Sequence, residues 1–143
     1  MTDDTPPTDS VLPSPFRALL VDDSEFDGTL LQRALAKALG DAELRQCWDP
    51  EEAQRVLAEQ AFDLVFLDHH LGSMSGLELL AQLRSGGFEG PVVLYTGQPQ
   101  GHSDARLEEL GCRAVLDKGD ASPATVLAAI RSAWTASVQT DSQ

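Results

Sequence analysis

A regular alternation of short apolar runs with amphipathic helical patterns is the feature that most restricts how this chain can fold. The apolar runs have the length of β-strands and lie at 17–23, 42–48, 63–70, 91–97 and 112–118. Strands that alternate with helices predict βαβ units, in which helices cover both faces of a parallel sheet. Runs that are apolar over most of their length agree, because a parallel strand is buried on both sides.

Few arrangements are available to five such strands, because crossover connections between parallel strands are almost always right-handed. The commonest has the strand order 2-1-3-4-5. We therefore expect an α/β fold with a single five-stranded parallel sheet in this order, flanked by five helices. In such sheets ligands bind beyond the carboxyl ends of the strands, near strands 1 and 3. The residues that follow each strand are the first candidates for a functional site.

The chain has 143 residues, which suits one compact domain. Residues 1–15 contain four prolines among small polar residues, so we expect a flexible leader there. The segment 137–143 is also small and polar, which predicts a flexible tail. These two segments leave 16–136 as the folded domain.

The net charge of −13 argues against a nucleic-acid partner, because the ten basic residues are scattered along the chain rather than concentrated. No apolar run approaches the length of a membrane span, and the first residues lack the features of a signal peptide. We therefore expect a cytoplasmic protein without membrane insertion.

Cys47 and Cys112 are too few for a disulfide framework or a thiolate zinc site. They belong to the second and fifth predicted strands, which are the two edges of the predicted sheet. Four strand spacings would separate them by about 19 Å, so no disulfide between them is expected.

Two segments have the sequence features of a helix start. Asp49 can cap a helix that opens with Pro50, and Glu52 completes a capping-box pattern. Ser75 and Glu78 form the same pattern. In the helix that follows Ser75, the residues expected to face inward are Leu77, Leu80 and Ala81.

Polar residues lie at the ends of four of the five predicted strands. They are Asp22 and Asp23 in strand 1, Asp68 in strand 3, Thr96 (followed by Gly97) in strand 4, and Lys118 in strand 5. Strands 1 and 3 are neighbours in the predicted order, so their three carboxylates should share one pocket and repel unless a cation intervenes. Oxygen ligands of this kind suit Mg²⁺. With a hydroxyl and an ammonium on the other side, the set has the parts needed to receive a phosphoryl group.

From about residue 16 to 136 the chain resembles the receiver domain of two-component response regulators, of the single-domain chemotaxis type with a flavodoxin-like fold. The matching stretches, in order, are "LLVDDSE", "DLVFLDHHLGSMSGLELL", "PVVLYTG" and "AVLDKGD". The resemblance implies a signalling protein that is not a turnover enzyme. It would take a phosphoryl group from a histidine kinase or a histidine phosphotransfer protein, using Mg²⁺ or Mn²⁺. It would then dock to a downstream protein or relay the group.

The resemblance also implies a role for each polar residue at the strand ends, with Asp68 as the phosphoacceptor. The other implied roles are metal ligation (Asp22, Asp23, Asp68 and the backbone carbonyl of His70), contact with the phosphoryl group (Thr96, Gly97 and Lys118) and control of its lifetime (His70 and Gln98). The last two lie two residues beyond Asp68 and Thr96, where they should flank the path of the attacking water.

Three positions depart from the family pattern. Gly72 and Gly119 stand where the family usually has proline, and Val115 stands where it commonly has an aromatic residue. We expect Gly119 to loosen the loop before the last helix. Val115 has a stiff side chain and no ring to swing, so the conformational switch should lie instead in the backbone of 97–103.

Two other functions remain as alternatives. One is a receiver-like module that binds partners without being phosphorylated. The other is a metal-dependent phosphoesterase of the class named for its Asp-His-His motif, which Asp68, His69 and His70 would supply. That class needs further histidine motifs, and the remaining histidine is His102. We expect His69 and His70 to point to opposite faces of a strand, so that both cannot join Asp68 on one metal ion.

Overall fold

The computed structural model describes residues 12–71, 74–97, 104–112 and 114–141. The strands of the main sheet are β1 (Arg17–Val21), β2 (Glu43–Cys47), β3 (Leu64–Asp68), β4 (Val92–Thr96) and β5 (Ala114–Asp117). The helices are α1 (Glu25–Ala38), α2 (Pro50–Glu59), α3 (Gly76–Ser85), α4 (Asp104–Glu109) and α5 (Pro123–Asp141). A short antiparallel ladder joins His70–Leu71 to Met74–Ser75, and a 3₁₀ turn covers Lys118–Asp120.

The main sheet has the order β2-β1-β3-β4-β5, and all its pairings are parallel. This confirms the predicted α/β architecture and strand order. Because every strand runs in the same direction, all the carboxyl ends lie at one edge of the sheet. The register brings Asp68 opposite Tyr95, and Thr96 opposite Asp117, so the ends of β3, β4 and β5 are level with one another.

Apolar side chains pack on both faces of the sheet. On one face, β-strand residues such as Leu20 and Phe66 pack with Leu31 of α1 and Ile130 of α5. On the other face, the side chains of the strands pack against α2, α3 and α4. The central strands β3 and β4 are buried at every residue, which explains why their sequences are continuously apolar.

Both predicted helix starts are present. The Asp49 side chain accepts the backbone N–H of Glu52 at 2.8 Å, which begins α2. Ser75 and Glu78 form a complete capping box at α3, in which each side chain accepts the backbone N–H of the other residue. The caps fix where α2 and α3 begin, and α3 begins beside the carboxyl end of β3.

Contacts of the fold extend beyond the predicted domain limits on both sides. Leu12 packs against the core, and Ser14 donates a hydrogen bond to Asp41, although both lie in the predicted leader. The predicted leader otherwise falls mostly outside the described residues. At the other end, α5 continues to Asp141, within the predicted tail. The division of the chain at residues 16 and 136 stays a prediction.

The two cysteines are both buried free thiols, as expected. Cys47 is the last residue of β2, and Cys112 lies just before β5. These are the two outermost strands, on opposite sides of the sheet. Within the described residues, no helix combines the length and the apolar character needed to cross a bilayer.

Candidate functional site

Three carboxylates meet at the carboxyl ends of β1 and β3. One oxygen from each of Asp22, Asp23 and Asp68 lies within 4.8 Å of the others. Asp22 and Asp68 are buried, and Asp23 is exposed. The carboxylates therefore form a pocket that is closed on the protein side and open to solvent through Asp23.

The backbone at the end of β1 holds Asp22 in this pocket. Its N–H donates to the Cys47 carbonyl at 3.0 Å, which continues the β1–β2 ladder one residue past the strand. Its Oδ1 accepts the N–H of Ser24 at 2.9 Å. Ser24 in turn caps α1, its hydroxyl oxygen accepting the N–H of Asp27 at 3.2 Å. The acidic pair is thus built into the connection from strand to helix.

Gln46 on β2 also supports this connection, and sequence reasoning did not find it. Its Nε2 donates to the carbonyls of Asp22 at 2.7 Å and Ser24 at 3.1 Å. The side chain fits because residue 28 of α1 is glycine: a Cβ there would lie 2.0 Å from Gln46 Oε1. The available signal was a polar, uncharged residue near the end of a strand, which is too common to be diagnostic.

Gly76 is a second residue that the sequence did not identify as part of the site. It is the first residue of α3, and a Cβ on it would lie 2.2 Å from the backbone carbonyl oxygen of Asp68. Its N–H donates to the His69 carbonyl at 2.7 Å. The start of α3 can therefore approach the backbone of Asp68 only because this position lacks a side chain.

Lys118 reaches across the site from the end of β5. Its Nζ lies 2.9 Å from Asp22 Oδ2, 2.9 Å from Asp27 Oδ2 and 3.4 Å from Asp68 Oδ1. Burial alone would lower the pKa of Lys118, but the hydrogen bonds to Asp27 and Asp22 and the neighbouring carboxylate charges raise it above its usual value. The amine is therefore a fixed positive charge next to Asp68.

The turn that carries Lys118 is capped by a side chain. The N–H of Gly119 donates to Asp117 Oδ1 at 2.8 Å, and this bond caps the 3₁₀ turn. A proline at position 119 has no N–H to give. A side-chain cap from Asp117 thus holds this turn in a way that the usual proline could not allow, and the effect of Gly119 on the flexibility of the loop stays a prediction.

The other phosphoryl contacts implied by the sequence lie at the end of β4. Thr96 is the last residue of the strand and is buried next to the pocket edge, and Gly97 follows it as an exposed residue. Apart from its chain neighbours, no atom of the described residues lies within 4 Å of the position that a Cβ on Gly97 would take. Val115 is 38% exposed on β5. Gln98 lies outside the described residues.

His69 and His70 do not point to opposite faces, and that expectation is wrong. Their ring centroids are 4.6 Å apart, with the rings at 73°. The reason is that β3 ends at Asp68 and the backbone bends at His69, so strand alternation no longer applies. Among the described residues, the group of potential metal ligands is Asp22, Asp23 and Asp68, without either histidine.

The donor set fits a hard divalent cation. Asp22 Oδ2 is buried and lies 2.9 Å from the Lys118 ammonium. Burial raises the pKa of Asp22 above its usual value, and the charge of Asp68 adds to the rise, against the opposing effects of Lys118 and the Ser24 N–H. A cation among these oxygens would relieve both the desolvation and the repulsion.

The similarity to sequenced relatives covers most of this chain but little of theirs. The sensory/regulatory protein RpfC of Xanthomonas campestris pv. campestris is 36% identical over 107 residues, which cover 71% of this chain and 14% of RpfC. The histidine kinase CKI1 of Arabidopsis thaliana is 29% identical over 134 residues, which cover 81% of this chain and 12% of CKI1. The chain thus spans a small part of the length of these relatives.

Solved structures match the fold over nearly its whole length. The signal receiver domain of an HD domain-containing protein from Pseudomonas fluorescens Pf-5 has a TM-score of 0.76 and 27% identity, covering 93% of this chain and 96% of that one. The chemotaxis response regulator CheY4 of Vibrio cholerae shares the fold, with a TM-score of 0.67 at 23% identity over 79% of this chain and 93% of that one. The family model of the response regulator receiver domain matches residues 18–131. The chain therefore belongs to the response regulator receiver domain family, the receiver modules of two-component signal transduction.

Proposed function

We propose that this receiver domain accepts a phosphoryl group on Asp68. The observation that carries the proposal is the position of Asp68 between the Lys118 ammonium and two further carboxylates that could hold a cation. Its Oδ1 lies 3.4 Å from the Lys118 ammonium, and its carboxylate belongs to the pocket of three acids that suits a divalent cation. A carboxylate in this position can act as a nucleophile toward an anionic phosphoryl group, because the charges around it offset the repulsion.

The reaction is an in-line transfer. A carboxylate oxygen of Asp68 forms a bond to phosphorus as the bond from phosphorus to the donor breaks, and the donor leaves with the electron pair of that bond. Lys118 neutralises charge on the transferred oxygens, and the Thr96 hydroxyl donates to one of them. Mg²⁺, or Mn²⁺ in its place, would be held by Asp22, Asp23, Asp68 and the His70 carbonyl, and would neutralise the remaining phosphoryl charge.

The proposed donor is a phosphohistidine on a histidine kinase or a histidine phosphotransfer protein. Support comes from the relatives, one of which is a histidine kinase. We propose that the signal leaves by docking to a downstream protein or by relay of the phosphoryl group, within the cytoplasm. Hydrolysis of the aspartyl phosphate ends the signal, and we propose that His70 and Gln98 set its rate.

Intact-mass measurement with acetyl phosphate and Mg²⁺ tests the acceptor directly. We expect the wild-type protein to gain one phosphoryl group, the Asp68→Asn variant to gain none, and chelation of the metal to suppress the gain. Labelling that persists in Asp68→Asn would contradict the assignment. A folded wild-type protein that is never labelled would favour a module that acts without phosphorylation, and hydrolysis of phosphodiesters would favour a phosphoesterase.

A further inference from the structure

Lys118 has a carboxylate partner that belongs neither to the acidic pocket nor to the acceptor. This partner is Asp27, in the first turn of α1, whose Oδ2 lies 2.9 Å from Lys118 Nζ. The same ammonium is 3.4 Å from Asp68 Oδ1. The two side chains of the pair are 16% and 23% exposed, so solvent screens their attraction less than at an open surface. The ammonium therefore lies closer to Asp27 than to the acceptor.

Asp27 is held in place through its backbone on two sides. Its N–H donates to the hydroxyl oxygen of Ser24 at 3.2 Å, as part of the α1 cap. Its carbonyl accepts the hydroxyl of the fully buried Tyr95 at 3.1 Å, which connects α1 to β4. The pair with Lys118 is consequently a fixed element of the site rather than a mobile surface ion pair.

The three carboxylates around Lys118 differ in what the proposed reaction does to them. Asp22 belongs to the set that would hold the cation, and Asp68 would become a neutral acyl group bearing the phosphoryl group. Asp27 takes no part in either change. It would keep its negative charge throughout, and it would compete with the phosphoryl oxygens for the same ammonium while repelling them directly.

We propose that Asp27 is a positioning residue that acts through Lys118 and weakens the hold of the site on a phosphoryl group. This inference rests on the proposed function. Replacing Asp27 by asparagine removes the charge but keeps the size and an oxygen that can accept from Lys118. Because the neutral amide attracts the ammonium less than a carboxylate does, the ammonium of the variant should be able to move toward the acceptor.

The affinity for beryllofluoride, measured by amide NMR shifts in saturating Mg²⁺, tests the proposal. We expect Asp27→Asn to bind this phosphoryl mimic about three- to tenfold more tightly than the wild type, on the order of the effect of one nearby charge. Glu25→Gln is the matched control, because Glu25 is an exposed acid in the same helical turn, and its effect should stay within about twofold. Damage to the fold cannot produce the expected gain.

A second readout needs neither metal nor phosphoryl mimic. The chain has two lysines, so the ¹⁵N ammonium signal of Lys118 can be followed with Lys37 as an internal reference. In metal-free buffer this signal should shift in Asp27→Asn and stay in place in Glu25→Gln. The inference would be overturned if the Lys118 signal did not shift in Asp27→Asn. It would also be overturned if the wild type bound beryllofluoride and Asp27→Asn bound it no more tightly. A wild type that binds no beryllofluoride would contradict the proposed function instead, and the ammonium signal would still decide whether Asp27 holds Lys118.

Discussion

Tyr95 shows how the environment of one residue changes its chemistry. Its ring is fully buried on β4, its hydroxyl donates to the Asp27 carbonyl, and the Lys118 ammonium lies 5.3 Å from the ring centroid. Burial and, after it, the charge of Asp27 raise the pKa of Tyr95 from 10.0 to about 12. The phenol therefore links α1 to β4 as a neutral hydrogen-bond donor over the whole physiological range.

This is the single tyrosine of the chain, so phenolate absorbance reports it directly. The raised pKa means that the unfolded chain loses this proton more easily than the folded one. The contribution of Tyr95 to stability is therefore complete below pH 10 and is lost as the pH rises from 10 to about 12. We expect the phenol of Tyr95 to ionise at a clearly higher pH in the folded protein than in the urea-unfolded protein. The Tyr95→Phe variant gives the background absorbance. Coincident titration curves would show that the phenol is not buried.

Gly76 allows a second prediction about a single residue. A methyl group at this position would collide with the carbonyl oxygen of Asp68, because the intervening distance is 2.2 Å. We expect Gly76→Ala to lower the free energy of unfolding by about 1–3 kcal/mol in urea denaturation, through a forced backbone shift. Gly40→Ala is the control, since its added methyl would have no atom of the described residues within 4 Å except in its chain neighbours. An equal, small effect of both substitutions would mean that α3 can move away from Asp68 at no cost.

Among the elements, α3 differs most from its sequence expectation. The pattern predicts Leu77, Leu80 and Ala81 as inward residues, whereas Leu79, Leu80 and Leu83 are the buried leucines and Leu77 is half-buried. The capping box was predicted correctly, so the start of the helix is not the cause. Which face of α3 is buried depends on how the whole helix packs against the strands on that side of the sheet, and a helical period cannot reveal this.

We propose that the conformational switch lies in the segment between β4 and α4. Thr96 ends β4 and is buried. Val115 has a stiff side chain without a ring, so it cannot rotate in response to a movement of Thr96. We expect beryllofluoride with Mg²⁺ to change hydrogen exchange most in residues 96–106 and little around Val115, and the effect to disappear in Thr96→Ala. Residues 98–103 lie outside the described part of the chain, so this experiment is also a direct observation of that segment. A change centred on Val115 that survives Thr96→Ala would contradict the model of the switch.

At the scale of the whole molecule, a net charge of −13 is combined with a pocket of three carboxylates at one edge of the sheet. A cation that binds only the folded chain must raise its stability. At a free Mg²⁺ concentration of about 100 times Kd, the gain should be about 2.7 kcal/mol, seen as a higher Tm. Asp23→Asn, at an exposed position, should lose most of the gain. An equal gain in that variant, or with NaCl at the same ionic strength, would indicate charge screening in place of a site.

Much of this architecture could be predicted from the sequence because the relevant signals are local. A strand buried on both faces is mostly apolar, and β3 and β4 are apolar up to their last residues, Asp68 and Thr96. The alternation of strands with helices and the right-handed connections then favour the observed strand order. The order in turn places Asp22, Asp68 and Lys118 at one edge before any coordinates are known. Helix starts were also predictable, since a cap such as Ser75 with Glu78 lies within four residues of chain.

Only the tertiary structure decided which contacts hold the charged side chains of the site and which charges lie next to one another. Lys118 and Asp27 are 91 positions apart, and their contact depends on how α1 packs against the ends of β4 and β5. The contacts of Gln46 and Gly76 also depend on how distant elements pack. Gln46 of β2 bonds the connection between β1 and α1, and Gly76 lies where α3 meets the backbone of Asp68. Sequence patterns report whether a residue is buried and in which element. The rotation and approach of packed elements arise from all their side chains at once, and those set the distances on which the site depends.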